Sequence, residues 1–332
     1  MFHYEWRSAK LYLFSILIIM KRFIKNCILL AIPFILYLFL IVIIDPFNYI
    51  NSFRIIDSKN KEEISAGIEP HMYKIIEFQN NPKRNIVLGD SRTNGLFSCI
   101  ESEAWSNLAY GGGSLKEMIQ TFWWVTNEIK LDTVIMGINL NLYNKYNKRF
   151  WVEETLERNK SFFSYAFSKY VFHSTFLIIK SYFSKNVISI GKPQQSKDEF
   201  WKFQINQTAT KFYEHFDYPD NYFESLKEIS IFCIQNNIKL IFWIPPTHID
   251  FQKRKIDFGI EKFDEKFVTD IQTLGDLYDF DYYSELTQNK SYFRDPMHFN
   301  HEVGEIIYKE IFFNSPHYSR YTKSKAYNTL HK

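Results

Sequence analysis

The alternation of apolar and polar positions changes character along the chain. From Cys27 to Ile44 the stretch "CILLAIPFILYLFLIVII" runs 18 residues without a charge. At about 1.5 Å per residue, one helix of that length crosses the hydrocarbon core of a bilayer. A polar stretch follows to about Lys83, and beyond it short apolar runs alternate with segments of helical period. "NIVLG" (85–89), "AWSNLAY" (104–110), "DTVIMGI" (132–138) and "KLIFWIP" (239–245) predict strands, with "FDYYSEL" (280–286) as a possible last one. Helices are predicted from Ser114 to Lys130, Tyr222 to Asn237, Glu261 to Leu277 and Glu302 to Phe312, the last with Asn300 as its N-cap.

Short apolar strands separated by helices imply βα units and a parallel sheet covered on both faces, so the expected fold class is α/β. In such sheets a ligand sits at the carboxyl ends of the strands. Between the third and fourth strands lies an insertion, residues 141–220, dense in Phe, Tyr, Trp, Lys and Asn. It reads either as a helical cap over the site or as aromatic packing against the sheet domain.

Charge placement orients the apolar run. Arg7, Lys10, Lys21, Arg22 and Lys25 precede it and Asp45 follows at once, which puts the N-terminus in the cytoplasm and the bulk of the chain outside. A cleaved signal peptide is the alternative, disfavoured because the run is long and ends in "DPFNYI" with no small-residue cleavage site. The expected organisation is a cytoplasmic N-terminus (1–26), a single-pass anchor in the cytoplasmic membrane (27–44), a stalk (45–83), a catalytic domain (84–315) and a tail (316–332). "LYLFSILIIM" (11–20) is too short to span, and "MKRFIKNCILL" from Met20 has the form of a complete signal-anchor start. Residues 1–19 are therefore expected to be a non-native or mis-assigned extension ahead of the native start.

Composition narrows the functional classes. A chain of 332 residues buries a full core, and one large domain with an appendage fits better than two equal domains. Aromatic residues make up 19% of the chain, a share that suggests rings meeting a membrane, a sugar or a lid. The net charge of +3, with Lys and Arg scattered among Asp and Glu, argues against nucleic acid as a partner. Cys27, Cys99 and Cys233 form no CxxC and no Cys/His cluster, which excludes a zinc ribbon and a disulfide framework.

Several residues could carry chemistry. Ser91 stands where the first strand ends, as a helix cap or as a nucleophile. In "RDPMHFNHEVG" (294–304), Asp295 and His298 lie three apart, so a turn can fold the carboxylate onto the imidazole Nδ1 and leave Nε2 facing a serine. "NLAYGGGS" (107–114) supplies a glycine turn where a backbone N–H can approach a ligand, and Asn139 in "GIN" supplies an amide. Ser, Gly, Asn and Asp/His thus fall in order at four strand ends.

In these four blocks, Gly89-Asp90-Ser91-Arg92, Asn107 to Gly112, Gly137-Ile138-Asn139 and Asp295-Pro296-Met297-His298, the chain resembles an SGNH/GDSL-type hydrolase. The resemblance spans roughly residues 84–140 and 222–312. It implies a flavodoxin-like three-layer α/β/α sandwich with Ser91 as nucleophile, Asp295 and His298 completing the triad, and an oxyanion hole from Ser91, Gly112 and Asn139. Gly111 and Gly113 are the alternatives to Gly112. Arg92 stands where Leu is usual and Leu140 where many members have Asp, which points away from the secreted lipase branch; with its anchor and D-x-x-H-F-N-x-x-x-G (295–304) the chain is more similar to the membrane-anchored envelope acyltransferase-like branch that includes alginate acetylation proteins. What that implies is hydrolysis or transfer of an acyl group, chiefly acetyl, on a cell-envelope carbohydrate, with a membrane partner passing the acyl donor. The rival reading is a tethered, non-catalytic glycan-binding or assembly protein.

Other residues read more plainly. Asp90 is expected to brace the turn. Arg92 is expected to set a positive charge beside the site, suited to an anionic glycan. His248 in "IPPTHID" is a candidate for lining the site. His301 completes D-x-x-H-x-x-H but most simply belongs to an exposed first helical turn, so no metal and no cofactor are expected. "GGGS" lacks the Walker lysine, and the absence of G-x-S-x-G disfavours an α/β-hydrolase.

Overall fold

The computed structural model describes residues 2–51, 59–100, 103–145, 147, 149–184 and 196–324. The chain divides into two compact units, Met1–Ile68 with Ser161–Ser189, and Glu69–Lys160 with Ile190–Lys332.

The second unit is built on β1 (Asn85–Gly89), β2 (Trp105–Ala109), β3 (Thr133–Gly137), β4 (Lys239–Ile244) and β5 (Asp276–Asp279). These pair in parallel in the order β2-β1-β3-β4-β5. A two-stranded hairpin follows, β6 (Phe293–Asp295) with β7 (His298–Phe299), and β8 (Arg320–Thr322) closes the main sheet antiparallel to β5.

The two-residue period of each strand explains the layering. Ile86, Leu88, Val134, Met136, Leu240, Phe242 and Leu277 pack on one face with helices Leu115–Glu128, Asp220–Gln235 and Glu261–Ile271. Val87, Ile135, Ile241, Trp243 and Tyr278 pack on the other with helices Ser91–Phe97 and His301–Phe313. Past their first residues β1, β3, β4 and β5 are buried on both faces, which is why those runs read as continuously hydrophobic. The result is three layers, with β1 and β3 flanking the point where strand order reverses.

Four strands lie within a residue of their expected bounds, and Asn300 caps the last helix through Val303 N–H at 3.1 Å. The last parallel strand does not follow expectation. It occupies Asp276–Asp279, because Asp281 leaves the sheet to accept from Thr247 N–H at 2.8 Å and from the Lys255 ammonium at 2.9 Å. Ser284 then caps a short helix, Glu285–Gln288, inside the stretch expected to be strand. The polar stretch expected to be a stalk holds helices Lys59–Ile68 and Pro70–Asn80, and the expected tail contributes β8. Of the insertion, Trp201, Ala209 and Tyr213 bury into the sheet unit's core, while helices Phe162–Ala166 and Lys169–Ser184 belong to the first unit.

In that first unit a single helix runs Phe2–Ile44, so residues 11–20 continue into the apolar run instead of forming a separate segment. Its portion Ile16–Ile44 is long and apolar enough to cross a membrane. At its end Asp45 accepts N–H bonds from Tyr49 (2.8 Å), Ile50 (3.1 Å) and Asn51 (2.9 Å), closing a turn.

Candidate active site

The site starts with a close approach of helix to sheet. A Cβ on Gly89 or Gly137 would lie 2.0 or 2.2 Å from Thr93 Oγ1, so only glycine at the ends of β1 and β3 lets helix Ser91–Phe97 settle there. Asp90 caps that helix by accepting from Arg92 N–H at 2.9 Å. Ser91 is its first residue, at the carboxyl end of β1.

The β6–β7 hairpin supplies the partners. Asp295 Oδ1 accepts from Met297 N–H at 2.9 Å and His298 N–H at 3.2 Å, which folds the Asp-Pro-Met-His turn tightly. His248 N–H donates to the Pro296 carbonyl at 2.8 Å and ties the turn to the segment after β4. His298 Nδ1 then lies 2.8 Å from Asp295 Oδ2, and Nε2 lies 2.7 Å from Ser91 Oγ. Residues more than 200 positions apart in sequence are joined in one hydrogen-bonded line.

Electrostatics set the direction of that line. Burial alone would raise the Asp295 carboxyl, but the bond to His298, the imidazole charge and two backbone N–H groups outweigh it and hold the value below the ordinary one. An ionised Asp295 fixes the proton on Nδ1 and leaves Nε2 to accept from the serine hydroxyl. A hydroxyl so placed is set up for nucleophilic attack with proton removal.

Beside the serine lies a buried polar group. Arg92 donates to Asp90 Oδ2 through Nε at 3.0 Å and Nη2 at 2.5 Å, and to Asn141 Oδ1 at 3.2 Å. Burial would raise Asp90, yet the Arg92 charge and bonds bring it below its ordinary value. Arg92 is only 3% exposed, so its charge is spent on Asp90 and is not the surface attraction expected for an anionic glycan. Asn139 donates one amide hydrogen to Asp90 Oδ2 at 3.1 Å and accepts from Leu142 N–H at 3.2 Å, which fixes its side chain next to the Asp90 turn. Gly112 adopts φ +66°, a conformation that favours glycine, and its carbonyl accepts from Arg149 Nη1 at 2.6 Å.

The structure gives His248 a supporting place. Its ring is buried, its Nδ1 accepts from Asp250 N–H at 3.1 Å as a helix cap, and it packs edge-on to Trp201 and Phe293. Its hold on Pro296 positions the hairpin, in contrast to the expected role of lining the site. His301 is exposed in the first turn of its helix, as expected, but it gathers Cys99 and Glu305 into one surface group with ligand-type atoms within 4.8 Å of one another. Sequence could not show this, since Cys99 stands 202 residues away from His301.

Three contributors escaped the sequence reading. Arg149 and Asn141 lie in an insertion without periodicity. Lys74 comes from the expected stalk, and its ammonium donates to Asn94 Oδ1 at 2.8 Å and to the Ala109 carbonyl. Burial pulls Lys74 down to about 7. Asn94 Oδ1 also accepts from Asn107 Nδ2 at 3.0 Å, linking the middle of helix Ser91–Phe97 to the middle of β2.

Two solved structures resemble the chain distantly. A protein provisionally described as an acylhydrolase, from Bacteroides fragilis, aligns with TM-score 0.40 and 12% identity over 74% of this chain and 95% of its own. A GDSL-like lipase from Bacteroides thetaiotaomicron aligns with TM-score 0.38 and 11% identity over 74% of this chain and 97% of its own. No protein-family model and no curated protein matches the sequence.

Proposed function

We propose that the chain is a serine-dependent acyl-ester enzyme anchored to a membrane by its N-terminal helix. The observation that carries this reading is the line Ser91 Oγ, His298 Nε2, His298 Nδ1, Asp295, with contacts of 2.7 and 2.8 Å. Ser91 attacks the acyl carbonyl as His298 takes its proton and Asp295 stabilises the imidazolium. The backbone N–H groups of Ser91 and Gly112 and the second Asn139 amide hydrogen stabilise the oxyanion. His298 returns the proton to the leaving alkoxide, and the acyl group stays on Ser91. His298 then deprotonates water or a sugar hydroxyl, which takes the acyl group and frees the serine.

Substrate class follows from the resemblance in the sequence: an acetyl or similar small acyl ester on an envelope carbohydrate, with the sheet unit outside the cytoplasmic membrane and a membrane partner supplying the donor in a transfer reaction. Retention of the helix as an anchor is supported by Ile44, which is buried against Ile64 and Ile178. Removing the helix would strip that cluster of a core residue.

The test compares full-length protein and its Ser91→Ala form, in detergent, on an activated acetyl ester. A loss of at least about 1,000-fold in kcat is expected for the variant. Equal rates would overturn the proposal.

A further inference from the structure

Helix Lys169–Ser184 is built inside out for a soluble protein. Its inner face is Val171, Ser174, Thr175, Ile178 and Ser181, all buried at three- and four-residue spacing and mostly small. Its outer face, with the helix before it, exposes Phe163, Phe167, Phe172, Phe176 and Phe183, each more than half accessible. A helix facing water places its rings inward and its charges outward. Lys169, His173 and Lys180 are exposed among these rings, and no Asp or Glu occurs between Phe162 and Ser184. Exposed aromatics interleaved with cations only are the composition of an amphipathic segment at the boundary of acyl chains and anionic headgroups.

Contacts within the first unit set its depth. The Tyr37 hydroxyl donates to the Ala166 carbonyl at 2.5 Å, and the Tyr37 ring lies 5.7 Å from Phe167 and 6.2 Å from Phe172. Tyr37 stands seven residues before Ile44 in the uncharged run, about 10 Å along the helix axis. Further along, Ile178 packs with Ile44, and Ser181 accepts from the Asn60 amide, past the end of the span. The chain thus descends beside the span to the level of Tyr37 and climbs out again.

We infer that residues 162–184 form a shallow hairpin inserted into the bilayer leaflet at the Ile44 end of the span, with Phe167, Phe172 and Phe176 among the acyl chains and Lys169 and Lys180 at the headgroups. This rests on the reading of Ile16–Ile44 as a membrane anchor. The occupant is lipid because the exposed rings continue the surface of the apolar helix at the same level, where a bilayer surrounding that helix already lies.

The experiment uses the full chain with Cys27→Ser and Cys99→Ser, reconstituted in phosphatidylcholine–phosphatidylglycerol vesicles, with nitroxide labels at Ile35→Cys, Phe172→Cys or Tyr182→Cys. Relaxation by oxygen and by a water-soluble nickel chelate reports depth. The expected order is Ile35 deepest, Phe172 next with nickel access several-fold below that of Tyr182, and Tyr182 shallowest. Deep Ile35 with nickel-accessible Phe172 would overturn the hairpin and leave the anchor standing. Nickel-accessible Ile35 would overturn the anchor itself. Spin–spin broadening at Phe172 with both reagents excluded would assign the surface to a second copy of the chain and overturn the lipid assignment.

Discussion

Two histidines of the sheet unit are each placed against carboxylates, and they are built for different ends. His298 meets one carboxylate and one neutral hydroxyl, with its side chain about a fifth exposed. His71 is wholly buried, with Nδ1 at 3.5 Å from Glu69 and Nε2 at 3.4 Å from Glu117, charge contacts longer than good hydrogen bonds. Its ring stacks on Tyr110 at 4.2 Å, next to the glycine turn. Burial would lower His71, but the two glutamates overcome it and raise its value. Glu117 also accepts N–H bonds from Ser114 (2.9 Å) and Trp151 (2.8 Å), so the ring sits in a structural clamp. His71, with both nitrogens facing carboxylates, holds its proton more tightly than a free imidazole, whereas His298 keeps one nitrogen on a hydroxyl at a partly exposed place.

The largest expected effect breaks the comparison at His298. Asp295→Asn should lower kcat about 10,000-fold, the order such a change costs in a serine triad, with KM little altered. Steady-state kinetics on the acetyl ester checks it. Next comes the pair beside the serine. Asp90→Ala leaves Arg92 buried without its carboxylate and should cost about 3–5 kcal/mol in denaturant unfolding.

His71→Gln should cost about 1–3 kcal/mol near neutral pH by leaving Glu69 and Glu117 without their cation. Because folding raises the His71 value, its bound proton stabilises the fold fully below the ordinary value of about 6.5, and that contribution is lost as pH rises through the higher folded value. Melting of both proteins from about pH 6 to about pH 9 should show the gap closing as pH rises. A gap independent of pH would mean that His71 is neutral when folded. The smallest effect is expected at Gly112→Ala, where φ of +66° strains a side chain by about 1–2 kcal/mol and lowers the melting temperature by a few degrees.

Sequence made the hydrogen-bonded line of Ser91, His298 and Asp295 legible because each of its parts sits at a strand end, where composition changes abruptly from apolar to Gly, Asp, Ser or His. The parallel topology then follows from short apolar strands alternating with helices. Supports of the line were invisible for a physical reason: Lys74, Asn141 and Arg149 act through one or two side-chain hydrogen bonds across long separations and leave no period. The misplacement of the last parallel strand has the same origin. Tyr282 and Tyr283 look like strand residues, and the buried Asp281, held by Thr247 N–H at 2.8 Å and the Lys255 ammonium at 2.9 Å, takes them out of the sheet. Likewise the charge of Arg92 looked available for a ligand until its bonds to Asp90 were seen.

The most direct measurement of the central claim is mass-spectrometric mapping of a fluorophosphonate adduct on the full-length protein. The account predicts one adduct, on Ser91, lost in Ser91→Ala and strongly slowed in His298→Ala while both variants keep the wild-type melting temperature within a few degrees. Labelling at another residue, or equal labelling of wild type and His298→Ala, would contradict it.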